Sequence, residues 1–292
     1  MICKLHKEIT LAKHSGFCYG VKRAVETVKK LKLENPDKNI YILGELIHNT
    51  NVIEELASLG IKTIYEIPEK GNGICVIRSH GASPQIFKQI EDAGFEIVDL
   101  TCPDVKKVQQ KAVETVKAGY YLIIVGKANH PEVMAIKANA ELYGDKIAIV
   151  NDVSQLESIK DELKSHKKIG VVVQTTQRLS TLTEIISALI PLSKELMLEN
   201  TICASTSLRQ NEAKELASKA DLMIVVGSKK SANTTHLAEI LTKITKTIHI
   251  EDDKDLKEYS DLIKNAQKIS ITAGASTPEY VIHNVIEKIK GE

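Results

Sequence analysis

The sequence predicts an α/β fold of three similar small domains, with mostly parallel sheets, set around an axis. Two observations support this prediction. Apolar segments of strand length alternate with amphipathic segments of helix length, which is typical of βα units. In addition, Cys18, Cys102 and Cys203 each stand alone between a short apolar segment and an amphipathic one. One structural unit therefore recurs three times along the chain.

Each unit begins with the strand that leads into its cysteine and with the helix that follows. The strand segments are residues 9–12, 97–101 and 199–202, and the last has the weakest strand pattern. Apolar residues recur at helical spacing after the first two cysteines, which predicts a helix with one buried face. These residues are Val21, Ala24, Val25, Val28 and Leu31 after Cys18, and Val105, Val108, Ala112 and Val116 after Cys102.

Three more strands follow in each unit. The second strand ends in a glycine every time, at Gly44, Gly126 and Gly227, and a polar loop and another helix come next. The third and fourth strands are residues 62–64 and 73–78, residues 146–150 and 169–173, and residues 247–250 and 268–272. The first and third units then share Gly-Ala-Ser with a proline just beyond, and the repeat places the predicted domains at residues 1–101, 102–200 and 201–292.

Composition excludes several classes of protein. The 292 residues carry 39 basic and 38 acidic side chains and no basic block, so nucleic acid is not expected as a partner. The longest apolar runs have strand length, so no membrane span is expected. The N-terminus lacks an apolar signal core, and five cysteines without an extracellular context are expected to stay reduced. The sequence therefore predicts a cytoplasmic protein, with a monomer as the default.

The three repeated cysteines predict a metal site or an iron–sulfur cluster at which the three thiolates meet. Three protein ligands rather than four would leave one coordination position open for chemistry. A lone cysteine is more often a small buried apolar residue, and this interpretation suits Cys75 within its strand and Cys3 at the terminus. The chain has no Cys-x-x-Cys pair, which weakens a structural zinc site and excludes the closely spaced ferredoxin pattern.

Polar residues cluster where the strands end, and in open parallel sheets ligands bind at that edge. His48, His80 and His130 occupy such positions and could bind a metal or an anionic substrate. Helix N-termini that follow these loops suit phosphate. The corresponding loops offer neutral hydrogen-bonding groups at Thr175, Ser231, Asn233 and Ser276. Glu132 has two interpretations, either stabilising a helix N-terminus or delivering protons within a cavity.

Five motifs together resemble the 4-hydroxy-3-methylbut-2-enyl diphosphate reductase family. The resemblance runs from about residue 9 to residue 285, in the family's order. It implies a trefoil of three α/β domains around an oxygen-sensitive iron–sulfur cluster, and the last step of the non-mevalonate isoprenoid pathway. The motifs are Gly16-Phe17-Cys18-Tyr19-Gly20-Val21, Arg78-Ser79-His80-Gly81, Asp99-Leu100-Thr101-Cys102-Pro103, His130-Pro131-Glu132 and Thr272-Ala273-Gly274-Ala275-Ser276-Thr277-Pro278.

The resemblance implies a role for each matching residue. Cys18, Cys102 and Cys203 would bind a [4Fe–4S] cluster whose fourth iron is open. Thr175 would lie near the substrate hydroxyl, and Glu132 would relay protons. The diphosphate would be held by His48, His80, His130, Ser231, Asn233 and Ser276. Ala232 stands where the family usually has a second serine, which removes one hydroxyl from the diphosphate site while its backbone N–H remains.

The implied reaction is a reductive dehydroxylation that gives isopentenyl and dimethylallyl diphosphates. The sequence contains no nucleotide-binding Gly-x-Gly-x-x-Gly or Gly-Lys-Ser/Thr loop, so ferredoxin or flavodoxin is expected to supply electrons. Two other functions remain open at this point. A cluster-dependent hydro-lyase would use the same open iron without net reduction. A metal-binding or redox-sensing protein would need no diphosphate site, so the histidines and hydroxyl groups at the strand ends count against this function.

Overall fold

The computed structural model describes residues 7–291, and Cys3 therefore lies outside the described residues. Within that range, short apolar segments form strands and the amphipathic segments form helices. The strands are β1 (Glu8–Leu11), β2 (Ile40–Leu43), β3 (Ile61–Ile64), β4 (Ile74–Ile77), β5 (Glu96–Asp99), β6 (Tyr121–Val125), β7 (Ile147–Val150), β8 (Lys168–Val173), β9 (Glu195–Leu198), β10 (Leu222–Val226), β11 (Thr247–Ile250) and β12 (Lys268–Ala273).

Helices connect these strands, and two short 3₁₀ segments, Ile190–Leu192 and Asp255–Tyr259, lie between them. The α-helices are α1 (Tyr19–Glu34), α2 (Thr50–Ser58), α3 (Pro84–Asp92), α4 (Pro103–Lys117), α5 (Pro131–Glu141), α6 (Val153–Ser158), α7 (Lys160–Lys164), α8 (Leu179–Leu189), α9 (Ala204–Ala217), α10 (Ala232–Thr242), α11 (Ser260–Asn265) and α12 (Glu279–Gly291).

The strands form three four-stranded sheets whose pairings are all parallel, which confirms the predicted α/β class. The first sheet has the order β3-β2-β4-β5 and the second the order β7-β6-β8-β9. The third repeats this order as β11-β10-β12-β1. The three sheets are therefore three copies of one topology, as the recurring sequence unit predicts.

Strand β1 is where the structure differs from the sequence analysis. We expected the strand before Cys18 to belong with residues 1–101, but β1 pairs with β12, in the register Glu8 to Lys268 and Leu11 to Ile271. The strand before Cys102 pairs with β4, and the strand before Cys203 pairs with β8. The strands before Cys102 and Cys203 are thus edge strands of the first and second sheets. Strand β1, which precedes Cys18, is the edge strand of the third sheet.

Both faces of the second sheet are buried, as expected for parallel strands with helices on each side. Ile123 and Val125 pack into one apolar cluster, whereas Leu122 and Ile124 pack into another on the opposite face. The third sheet repeats this alternation, with Ile224 on one face and Val225 on the other. The apolar runs that are too short for a membrane span are therefore central strands.

Several of the helices are short. Helices α2 and α3 have nine residues each. Gly60 and Gly94 follow them closely with φ of 79° and 89°, and such left-handed residues end helices. No helix in the described range is long and apolar enough to cross a membrane.

The chain forms two compact units. One comprises Met1–Arg23, Ile47–Glu55 and Ala204–Glu292, as far as these segments are described, and contains the third sheet. The other comprises Ala24–Leu46 and Leu56–Cys203 and contains the first two sheets. The three-domain division at residues 101 and 200 stays a prediction.

Candidate functional site

The three cysteines occupy equivalent positions in the repeated topology. The backbone N–H of Cys102 donates to Ser79 O at 3.0 Å, just beyond β4. The N–H of Cys203 donates to Thr175 O at 3.0 Å beyond β8, and that of Cys18 donates to Ala275 O at 3.2 Å beyond β12. Each cysteine directly precedes a helix. The same backbone bond therefore holds each cysteine next to the carboxyl end of the neighbouring strand.

The environment of these thiols suits thiolate ligands. All three are partly exposed and form no disulfide, and each precedes the positive N-terminal end of a helix. Cys75 differs because it is fully buried, and burial raises the pKa of its thiol to about 11. Over residues 7–291, no three His, Cys, Asp or Glu side chains gather around a single metal position. Thiolates that hold an iron–sulfur cluster bind different iron atoms, so they need not meet at one ion.

His130 caps helix α5 and is oriented by it. Its Nδ1 accepts a hydrogen bond from the N–H of Glu132 at 3.2 Å, so the proton of the neutral ring resides on Nε2. The ring of His80 meets the ring of His130 edge-on, with centroids 5.3 Å apart. The structure thus brings together two of the three histidines that were predicted at strand ends. The Nε2–H of His130 remains as a donor on the side of the ring opposite its bond to helix α5.

Glu132 is a buried carboxyl group whose oxygens bond one residue, Thr175, within the described range. It is 2% exposed, its Oε1 accepts the backbone N–H of Thr175 at 2.6 Å, and its Oε2 accepts the Thr175 hydroxyl at 2.9 Å. Burial raises its pKa to about 7, and the charge of Asp104 adds to this, while the Thr175 bonds act in the opposite direction. A carboxyl group with this pKa exchanges protons near neutral pH.

Thr175 connects this carboxyl group to a cysteine. Its N–H and hydroxyl donate to Glu132, and its carbonyl accepts the N–H of Cys203. Thr175 lies two residues after the buried strand β8 and is 5% exposed. One residue therefore holds a titratable acid and a thiol at the same edge of the second sheet.

The remaining predicted residues lie in the unit that contains the third sheet. Ser231 caps helix α10, where its hydroxyl accepts the N–H of Thr234 at 3.5 Å. The Ser276 hydroxyl donates to His48 O at 3.4 Å, which brings these two predicted residues together. Ala232 is half-buried and is the first residue of α10. Asn233, the next residue of this helix, is buried. This unit thus supplies hydroxyl, amide and imidazole groups together with Cys18.

Comparison with known proteins identifies the family. The family model described as LytB protein matches residues 9–290. The chain is 43% identical to the 4-hydroxy-3-methylbut-2-enyl diphosphate reductase of Caldanaerobacter subterraneus, over 97% of this chain and 96% of the relative. It is 40% identical to the enzyme of the same name from Clostridium perfringens strain 13, over 98% and 99% of the two chains.

The chain belongs to the 4-hydroxy-3-methylbut-2-enyl diphosphate reductase family. Solved structures agree with this assignment. The structure of an (E)-4-hydroxy-3-methyl-but-2-enyl diphosphate reductase matches with a TM-score of 0.74 and 34% identity, covering 98% of this chain and all of that one. The reductase from Plasmodium falciparum matches with a TM-score of 0.86 and 30% identity, covering 97% and 87% of the two chains.

Two residues that support the reductase motifs were missed by the sequence analysis. Arg209 on α9 is 3% exposed and donates to three carbonyl oxygens, at 2.6 Å to His14, 2.6 Å to Ala273 and 2.9 Å to Gly16. It therefore ties the loop before Cys18 to the end of β12. A basic residue one turn into the helix after Cys203 looks like ordinary surface charge, so no sequence signal marks it.

Gln174 is the second missed residue, and it orders the loop that leads to His130. Its Oε1 accepts the N–H of Lys127 at 3.1 Å, and its Nε2 donates to the Thr176 hydroxyl at 3.1 Å. Gly126 must lack a side chain for this, because a Cβ there would lie 2.8 Å from Gln174 Oε1. The glycine that follows the second strand of each unit could have indicated that a side chain packs closely there.

Replacing Arg209 by methionine is expected to destabilise the reductase by about 3 kcal/mol, because three carbonyl groups lose a charged donor. Urea unfolding of the anaerobically prepared protein measures this change. Lys219→Met removes an exposed charge whose ion pair with Glu215 is worth little, and should change stability by less than about 0.5 kcal/mol. Equal stability of the two variants would contradict a structural role for Arg209.

Proposed function

We propose that this chain removes the hydroxyl group of 4-hydroxy-3-methylbut-2-enyl diphosphate by reduction, giving isopentenyl and dimethylallyl diphosphates. The reaction takes up two electrons and two protons and releases water. The observation that carries the proposal is the Thr175 connection, which holds a carboxyl group of pKa about 7 and a cysteine at one sheet edge. Membership of the reductase family supports the same chemistry.

We assign Cys18, Cys102 and Cys203 as the protein ligands of a [4Fe–4S] cluster. Their equivalent backbone bonds, partial exposure and positions before helices support this assignment. When bound, such a cluster supplies electrons one at a time and, at the iron without a protein ligand, Lewis acidity toward the allylic hydroxyl. Because the sequence has no nucleotide-binding loop, the electrons come from ferredoxin or flavodoxin, in the reducing cytoplasm.

Glu132 is the proton donor in this proposal. Its burial keeps a large fraction of the carboxyl protonated at neutral pH, so a proton is available for the departing oxygen. The Thr175 hydroxyl, already bound to Glu132 Oε2, orients the substrate alcohol toward it. Delivering the second proton to either end of the allylic system then gives the two products.

We assign the binding of the diphosphate to the predicted histidines and neutral polar residues. His130 offers its Nε2–H, and the ring of His80 lies beside that of His130. The other assigned residues are His48, Ser231, Asn233 and Ser276. Helices α5 and α10 begin beside these residues, and a helix N-terminus favours a bound phosphate. Binding energy from the diphosphate is remote from the reacting carbon, so it can orient the alcohol for reduction.

The decisive experiment is anaerobic purification with iron and sulfide analysis, followed by turnover of the hydroxylated diphosphate with a reduced low-potential dye. We expect a coloured protein that forms both five-carbon diphosphates. A colourless protein after cluster reconstitution, with no product, would refute the proposal. Redox-neutral turnover of a hydroxy acid would instead indicate a hydro-lyase, and a cluster without turnover would indicate a sensor.

The rate of reduction is expected to fall as pH rises through about 7. The pKa of Glu132 is raised from 4.5 to about 7, so the protonated donor predominates below this pH and is lost above it. In the simplest case kcat falls about tenfold per pH unit on the alkaline side. Steady-state assays across this range measure the profile, with the cluster absorbance recorded at each pH as a control. A flat profile with constant absorbance would rule out Glu132 as the donor.

Restoring the family's second serine at position 232 tests the diphosphate site. Ala232→Ser is expected to lower KM by about threefold to tenfold, because one hydrogen bond to a charged oxygen is gained. Ala232→Val adds bulk without a donor and should give no such improvement. If the valine and serine variants behave alike, the side chain at position 232 does not face the diphosphate.

A further inference from the structure

A cavity of about 850 Å³ lies at the carboxyl ends of β2 and β4 and takes no part in the proposed reaction. Its apolar wall consists of Leu43, Ile67, Ile77 and Ile86. The guanidinium group of Arg78, which follows β4 directly, also lines it. This volume falls within the range of small-molecule sites. The cavity therefore combines hydrocarbon walls with a single cation.

Arg78 has no hydrogen bond or ion pair with any residue of the described range. Burial lowers its pKa, and the electrostatic interactions with Glu45 and Tyr65 act in the opposite direction. A guanidinium presents five N–H donors in a fixed fork. Because this group lines the cavity, its geometry suits an external anion.

The internal repeat allows Arg78 to be compared with Gln174, the residue at the equivalent position of the second sheet. Arg78 follows β4 as Gln174 follows β8, and the two side chains lie against the equivalent glycines, Gly44 and Gly126. The Oε1 of Gln174 accepts from the adjacent loop at Lys127, and its Nε2 donates to Thr176 in its own segment. Arg78 makes no corresponding bond. The second sheet thus uses this position to order a loop, whereas the first sheet leaves a cation at a cavity wall.

The remaining charges define which anion fits. Exposed carboxylates of Glu66, Glu69 and Asp92 also line the cavity. Of these three, Asp92 alone forms an ion pair with a residue in the described part of the chain, Lys88. These acids disfavour a ligand with several negative charges. A planar carboxylate matches the guanidinium fork with one charge. We propose that this cavity binds a small apolar monocarboxylate, with its carboxylate paired to Arg78 and its hydrocarbon part against the apolar wall.

Calorimetric titration of the anaerobically reconstituted protein with octanoate tests this proposal. We expect saturable binding of octanoate and none of octylammonium, which has the same chain and the opposite charge. Arg78→Met should weaken octanoate binding at least about tenfold through loss of the charged pair. Lys219→Met, which removes an exposed positive charge elsewhere, should bind as the unmodified protein does.

A second variant keeps the test informative if Arg78→Met does not fold. Ala93 lines the cavity at the end of α3 and is only half-buried, so Ala93→Phe fills part of the space while Arg78 is retained. This variant should also weaken octanoate binding. Absence of octanoate binding, equal binding by octylammonium, or unchanged binding in both variants would overturn the proposal. Each readout is independent of turnover, so the proposed reaction can fail while this site stands.

Discussion

Glu132→Gln is expected to lower kcat by at least about 100-fold, within the usual range for loss of a general acid, while the cluster is retained. Glutamine has nearly the same shape as glutamic acid, and its Oε1 can still accept the Thr175 N–H. It cannot release a proton near neutral pH. Turnover with a reduced dye measures kcat, and iron and sulfide content measures the cluster.

Helix α5 offers a matched control for this substitution. Glu141 lies at the end of the same helix, is exposed and pairs only with Lys137 among the described residues, so Glu141→Gln should leave kcat unchanged. Thr175→Val removes the hydroxyl that donates to Glu132 Oε2 and should also lower kcat, since the carboxyl loses its orientation. An active Glu132→Gln enzyme with a full cluster would show that the proton comes from another group.

Cys102→Ala is expected to abolish cluster assembly and, with it, turnover. A cluster bound by three thiolates loses one of its three protein ligands in this variant. Within the described range, no other cysteine lies near the end of β5 in sequence and could replace Cys102. Iron and sulfide analysis after anaerobic reconstitution measures the loss. Cys18→Ala and Cys203→Ala should give the same result, because the repeat makes the three positions equivalent.

Cys75→Ala provides the control for these variants. This thiol lies within β4 and is fully buried, so its removal leaves a small cavity and costs about 1 kcal/mol of stability. The cluster and turnover should both be retained. Retention of a full cluster by Cys102→Ala, or loss of the cluster from Cys75→Ala, would contradict the assignment of the three ligands.

The repeat explains why the sheets could be predicted and why one strand was misplaced. The strands and helices themselves follow from local pattern because each βα unit buries its own apolar face. The partner of β1 is different, since its pairing with β12 joins residues that are 260 positions apart, Glu8 and Lys268. The alternation of apolar residues specifies a strand but does not identify its neighbour. The partner of β1 is known only from the pairing in the folded third sheet.

Glu132 and Arg209 show the same limit for the site. Sequence alone leaves Glu132 balanced between a helix-stabilising acid and a proton donor, because both interpretations require an acid in the first turn. Its burial, its two bonds to Thr175 and its raised pKa support the proton-donor interpretation, which stays a proposal. Arg209 carries no motif, and its three carbonyl partners come from segments about 60 and 190 residues away.

The sequence by itself determined the α/β class, the threefold unit and the family, because strand periods, cysteine positions and motifs are local properties of the chain. It also determined which residue types stand where strands end. The tertiary structure decided the partner of β1, the raised pKa of Glu132 and the position of Arg78 at a cavity wall. These properties depend on burial and on neighbours distant in sequence, which no local pattern encodes.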